Sequence, residues 1–146
     1  MMSALRKLAR LSPVSVLETT KVIDAVRLMI ENRVGAVLVL EAGSARGIFT
    51  ERDVFMKIVP GEHDPKTTPV SAVMTTPVLT IRHDASREGA LAQMIEQHIH
   101  HLPVVDDAEK VVGMLTMRHL MRAKIDSLKA EVNSIANYAG SDGIGG

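Results

Sequence analysis

The chain has no cysteine and no tryptophan, and only one tyrosine and two phenylalanines among its 146 residues. Without thiols there is no disulfide, no cysteine nucleophile and no thiolate zinc site, and a reducing cytoplasm is the default compartment. With so few aromatic rings, a pocket for a planar base must be walled by aliphatic side chains and methionine. Surplus charge is also missing, since 17 Lys+Arg balance 17 Asp+Glu. That balance argues against a nucleic-acid or membrane-surface partner, whose footprint is a basic excess. No apolar run approaches the ~18 residues of a membrane span. Arg6, Lys7 and Arg10 near the start have no apolar block behind them, so no secretory signal is expected.

Hydrophobic residues make up 46% of the chain, enough for one compact domain or two small halves sharing a core. The expected class is α/β, with α+β mixed sheets. Leu5, Leu8 and Leu11 predict a short amphipathic helix over 3–11, stopped before Pro13. Val14, Ser15 and Val16 form a brief β-type run, and Glu18-Thr19-Thr20 reads as a helix start. Val22, Ile23, Val26, Met29 and Ile30 then recur at helical spacing, predicting about three turns with one apolar face. The unbroken apolar run over 34–40 is the pattern of a strand covered on both faces. A turn and a strand over 47–49 follow, and a second helix past Thr50 carries Val54, Phe55, Ile58 and Val59 on its apolar side.

The junction of that strand and helix, Gly47-Ile48-Phe49-Thr50-Glu51-Arg52-Asp53, holds the chain's most pointed motif. Thr50 is placed as an N-cap with Asp53 at the third helical position. Free amides at a helix start form an anion site, and a carboxylate beside a bound phosphate is placed to accept from two sugar hydroxyls. The same pattern also serves as a plain helix cap.

The chain then repeats itself. At an offset of 65 residues, Met29-Ile30-Glu31-Asn32-Arg33-Val34 lies on Met94-Ile95-Glu96-Gln97-His98-Ile99. After a turn one residue longer, Gly47-Ile48-Phe49-Thr50 lies on Gly113-Met114-Leu115-Thr116, and Asp53 on His119. Each copy reads strand, helix, strand, strand, helix, and two such units are expected to pack about a pseudo-twofold axis. The expected organisation is an N-terminal segment (1–12), a first repeat (13–60), a linker (61–76) and a second repeat (77–125). A C-terminal helix extension (126–139) and a flexible tail (140–146) complete it.

Both copies resemble cystathionine β-synthase (CBS) domains, marked by a glycine, two mostly apolar residues, Thr or Ser, two free positions and Asp. The first copy matches with Gly47, Thr50 and Asp53; the second carries a basic pair before a short strand, His100-His101-Leu102-Pro103-Val104-Val105. The resemblance covers roughly 13–125. It implies a non-catalytic regulatory pair binding an adenosine-containing ligand such as AMP, ATP, NADH or S-adenosylmethionine between the copies, dimerising into a disc and acting on an unknown effector protein.

Carried over by position, the first cleft combines Thr50 and Asp53 with His100, His101 and a strand over Val78, Leu79 and Thr80. Asp53 is implied to hold the ribose, Thr50 the phosphate, and Ile48, Leu79 and Pro103 the adenine, with Arg52 and Lys57 as further phosphate partners. The second cleft, implied to be weaker, combines Met114, Thr116, Arg118 and His119 with Val14, Ser15, Gly35 and Ala36. There His119 stands where the family has Asp, and offers one acceptor at most. A scaffold for dimerisation or protein interaction, with ligand clefts lost, is the alternative.

No metal site is expected, because His98, His100 and His101 lack partners beyond Glu96 and Asp106, which read as surface charges. No serine sits on a nucleophile-elbow pattern, so no hydrolase is expected either. Met121, Ile125, Leu128, Val132 and Ile135 are spaced 4, 3, 4, 3, with Tyr138 extending the stripe. That seam suits pairing with a second subunit or folding back on its own module.

Overall fold

A computed structural model describes residues 3–142. The first part runs α1 (Ala4–Leu8), β1 (Arg10–Leu11), β2 (Ser15–Val16), α2 (Val22–Asn32), β3 (Ala36–Glu41) and β4 (Ser44–Thr50). Next come α3 (Glu51–Asp53), prolonged by a π-helical turn over Val54–Ile58, and a 3-10 turn at Val70–Ala72. The chain then forms β5 (Ile81–Arg82), α4 (Arg87–Gln97), β6 (His101–Val105), β7 (Val111–Thr116) and α5 (Met117–Asp142). The remainder of the tail expected over 140–146 lies outside the described residues.

The strands form two mixed sheets, ordered β2-β3-β4 and β1-β7-β6-β5. In each, one parallel pair flanks an antiparallel hairpin. The repeat extends to its irregularities. Arg33 and His98, at φ 53° and 55°, end α2 and α4 with the same pair of backbone hydrogen bonds. The two hairpins also shift register at matching places, Val39/Leu40 and Val104/Val105.

Strand alternation decides what each face meets. Val37, Val39 and Phe49 join Val22, Ala25 and Met29 in one core. Leu102, Val104 and Leu115 join Ala90 and Met94 in the other. Ala36, Leu38 and Ile48 point the opposite way and meet Met114 of the second sheet, which closes the seam between the repeats. The run over 34–40 is apolar throughout because both of its faces are covered.

The segments that precede the repeats are exchanged between them. Leu5 and Ala9 are part of the second repeat's core, and β1 pairs with β7, Leu11 opposite Gly113. Val70 and Val73 are part of the first repeat's core, and Thr75 exchanges two backbone hydrogen bonds with Ile48 at 3.0 and 2.8 Å. The stretches read from sequence as leader and linker therefore supply core residues. Residues 65–68 also accept from the first amides of α2: Val22 donates to the Thr68 carbonyl and Ile23 to that of Pro65, both at 2.9 Å. With those donors satisfied, Lys21 at the cap makes no side-chain capping bond, its Nζ donating instead to the Thr67 carbonyl at 3.1 Å, and Glu18-Thr19-Thr20 does not start the helix.

This exchange explains the signature glycines. A Cβ on Gly47 would overlap Met74 Sδ, and one on Gly113 would stand 3.0 Å from Ala9 Cβ and 3.2 Å from the Arg10 carbonyl oxygen.

Four apolar residues expected on core faces are instead exposed: Leu11, Ile30, Phe55 and Val59. Leu11 lies in β1 beyond the end of α1. Phe55 and Val59 leave the core face because Val59 donates to Val54, five residues back, which widens the turn beyond the 3.6-residue period. Residues 78–80, expected as a strand, are irregular, and the parallel partner of β6 is Ile81–Arg82.

Gly113→Val should overpack β1 against β7 and lower stability by roughly 1–3 kcal/mol. Urea denaturation would read this as a lower midpoint at an unchanged slope; an unaltered midpoint would mean that β1 is not held against Gly113.

Candidate functional site

The two repeats end their hairpins in matching caps with different chemistry. In the first, Asp53 is buried. Its Oδ2 accepts from the Thr50 amide at 2.9 Å and lies 3.2 Å from Thr50 Oγ1, while the Asp53 amide donates to Thr50 Oγ1 at 3.3 Å. Its Oδ1 accepts from Thr75 Oγ1 at 2.9 Å and pairs with Lys57 Nζ at 3.0 Å. A carboxylate offers about four lone-pair sites, and these contacts use them. The expected grip of Asp53 on a ribose diol therefore finds no free acceptor. Lys57, expected at a phosphate, is tied to Asp53 and to the Val73 carbonyl at 2.8 Å. Two amides of the expected anion cradle are also taken, that of Glu51 by the Gly35 carbonyl at 3.0 Å and that of Asp53 by Thr50 Oγ1 at 3.3 Å.

The rest of the first-cleft set disperses. Ile48 and Pro103 are buried in the seam, where Pro103 lies opposite Met114, and Val78 packs on the same cluster. Leu79 is exposed, and the Thr80 carbonyl accepts from Gln93 Nε2 at 3.4 Å. Arg52 is exposed at the start of α3. His100 and His101 take part in the other cleft.

In the second repeat His119 replaces Asp and performs the same cap. Its Nδ1 lies 3.2 Å from the Thr116 amide, and its own amide donates to Thr116 Oγ1 at 3.1 Å. Accepting at Nδ1 requires a neutral ring with its proton on Nε2. Beside this cap a cavity of about 700 Å³ opens between the repeats. Of the second-cleft residues expected from sequence, Val14, Gly35, Ala36, Met114, Thr116, Arg118 and His119 line it, together with His100 and His101. Ser15 lies outside, in β2. His100 and His101, expected in the first cleft, thus stand with the residues of the second.

Sequence reading missed Arg10, Arg33 and Glu51, which also line this cavity. Arg33 had a usable signal, because it aligns with His98 as the second of two left-handed helix ends. Arg10 had none within its own repeat, since only the exchanged strand brings it across. The walls combine Val26, Met29, Ile30, Val34, Val54 and Met117 with three guanidinium groups (Arg10, Arg33, Arg118), three imidazoles and one carboxylate. Exposed Ile30 is therefore part of a cavity wall. At Gly35 a Cβ would overlap the Glu51 carboxylate, the free end of an exposed side chain that would have to shift, and lie 3.2 Å from His101 Cε1.

Burial holds His101 below the usual imidazole range; Glu51 opposes this, and His100 and His119 add to it. Burial lowers His119 as well, helped by the Arg118 guanidinium. At neutral pH the cavity therefore presents cationic arginines beside neutral His101 and His119, a surface suited to an anion carrying an apolar body.

Outside the lining of this cavity, His83, Asp84 and Asp107 bring ligand atoms within 4.8 Å of one another, a grouping not anticipated from sequence. Arg82 occupies it, reaching Asp84 at 3.1 and 3.2 Å and Asp107 at 2.7 Å. The guanidinium and His83 hold both carboxyls below the usual carboxylate range. The cluster is an exposed ion-pair network. Among the described residues, no helix is long and apolar enough to cross a membrane.

The CBS domain family model matches this chain twice, over residues 5–60 and 70–126. The chain belongs to the CBS domain family. The matched stretches begin at the exchanged segments, which belong to the repeating unit. The meiotically up-regulated gene 70 protein of Schizosaccharomyces pombe is 33% identical over 123 residues, covering 84% of this chain and 17% of that protein. Relatives from Methanopyrus kandleri and Arabidopsis thaliana are spanned over 55% and 59% of their lengths. A solved protein with CBS domains from Burkholderia ambifaria is 32% identical with a TM-score of 0.78, covering 85% of this chain and 94% of its own. A CBS domain protein of Pyrobaculum aerophilum, solved with AMP, is 24% identical with a TM-score of 0.72, covering 79% and 88% of the two chains.

The unfolded chain takes up protons before the lowered His101 and His119 do, so their contribution to stability is present above about pH 6.5 and lost as pH falls below it. The urea midpoint should drop between pH 7.5 and 5.5, and His101→Gln/His119→Asn should flatten that drop. An equal drop in the double variant would remove the two histidines as its source.

Proposed function

We propose that this CBS pair is a non-catalytic regulatory module that binds an adenosine-containing ligand, such as AMP, ATP or NADH, in the cavity beside Thr116 and His119. The carrying observation is that cavity: its volume, about 700 Å³, suits a nucleotide, and its walls pair aliphatic and methionine side chains with three arginines. In the absence of tryptophan, the base would lie among Val14, Met29 and Met114, and the phosphate would face Arg33 and Arg118. The AMP complex of the related Pyrobaculum protein agrees with this ligand class. The cleft around Asp53 would then be a locked structural joint.

A ligand touching both repeats binds one arrangement of them better than another and so biases a partner protein in the cytoplasm. Isothermal titration with AMP, ATP and NADH tests the site. Arg118→Ala should weaken the bound nucleotide about ten- to a hundredfold, the loss expected of a charge-assisted hydrogen bond. Unchanged affinity would remove the cavity from the binding site.

A second reading, as a scaffold for dimerisation, is favoured by α5. Met121, Ile125, Leu128, Val132 and Ile135 are all exposed along it, while Leu120 is its residue in the core. An apolar stripe of this spacing suits an identical helix from a second copy. Both readings are compatible with a homodimer. Leu128→Asp/Val132→Asp should convert dimers to monomers in light scattering; a dimer unaffected by the change would place the interface elsewhere.

A further inference from the structure

A second cavity, of about 720 Å³, lies where α1, α4 and α5 converge. Four cationic side chains reach it from three separate elements: Lys7 from α1, Arg87 from α4, and Arg118 and Arg122 from α5. None has a carboxylate within ion-pair distance among the described residues, and Asp126 is the one acid in the lining. All four are exposed and so partly screened by solvent, but in a chain whose charges balance overall, four unpaired cations around one hollow still repel one another.

Their placement compounds the repulsion. Arg87 opens α4 and Arg118 stands in the first turn of α5, where the helix dipole already presents positive charge. The first turn of α5 contains no acid to offset it. A multiply charged anion relieves both terms at once. Arg118 and His119 line this cavity and the one between the repeats, so the two meet at the start of α5.

We propose that this second cavity is a polyphosphate site, taking the outer phosphates of a nucleotide whose base and sugar occupy the first cavity. This rests on the nucleotide reading of the first cavity and narrows its ligand to a nucleoside triphosphate over a monophosphate. The shared chemistry is a chain of phosphates, which free inorganic polyphosphate also offers.

The test titrates the full chain and its Arg87→Gln/Arg122→Gln variant with ATP, AMP and inorganic tripolyphosphate. Both substituted residues are exposed, and circular dichroism checks that the variant keeps its fold. The wild type should bind ATP about tenfold or more tighter than AMP, and the variant should lose about that factor for ATP and tripolyphosphate while AMP is unchanged. Tripolyphosphate binding that the variant loses, with neither nucleotide bound by the wild type, would support the site for free polyphosphate and defeat the nucleotide reading of the first cavity. ATP and tripolyphosphate affinities unaltered in the variant, or ATP bound no tighter than AMP with no tripolyphosphate bound, would overturn the polyphosphate site.

Discussion

The structure depends on the exchange of leading segments between the repeats. β1, from ahead of the first repeat, closes the four-stranded sheet of the second, and the stretch from Val70 to Thr75 packs into the first repeat and bonds to Ile48. Each exchanged piece crosses over a glycine, which is why Gly47 and Gly113 recur at the same place in both copies. Exchanged segments of this kind hold the halves in one relative placement. That placement creates the seam of Ala36, Leu38, Ile48 and Met114 and the cavity beyond it.

Two hairpins with matching register shifts carry different chemistry at their ends. Asp53 closes its joint completely, because Thr50, Thr75 and Lys57 converge on one carboxylate. A buried charge tolerates such a position only when fully paired, and this one is. His119 performs the same cap with one nitrogen and, among the described residues, no counter-ion, leaving the neighbouring space open and its arginines without an ion pair. Loss of a carboxylate from the second cap thus makes that side electropositive. A balanced overall charge conceals this, since the cations are grouped by the fold and scattered in the chain.

Much of the fold was legible in the residues themselves. The repeat at 65 residues, the three turns of α2, the two-faced apolar strand and the capping pair Thr50–Asp53 all depend on local pattern, which sequence displays directly. What local pattern does not carry was misread. The linker's role as core and as the cap of α2 comes from contacts across more than forty positions. Phe55 and Val59 left the core face through a wide helical turn that periodicity assumes away. The site was partly legible for the same reason. The second-cleft residues were found by alignment with the first copy, but Arg10 arrives through the exchanged strand, and Lys57 was taken for a ligand contact when its nearest anion is Asp53. A motif read alone names the residues; only their partners decide whether they are free to bind.

The claim that the open side of the seam is the binding side can be tested directly by titrating an isotopically labelled chain with nucleotide and following backbone amide shifts by nuclear magnetic resonance. Binding beside His119 predicts shifts at Gly35, His101, Thr116 and Arg118, with Thr50, Asp53 and Thr75 unmoved. Shifts centred on Thr50, Asp53 and Thr75, with the His119 side silent, would contradict it.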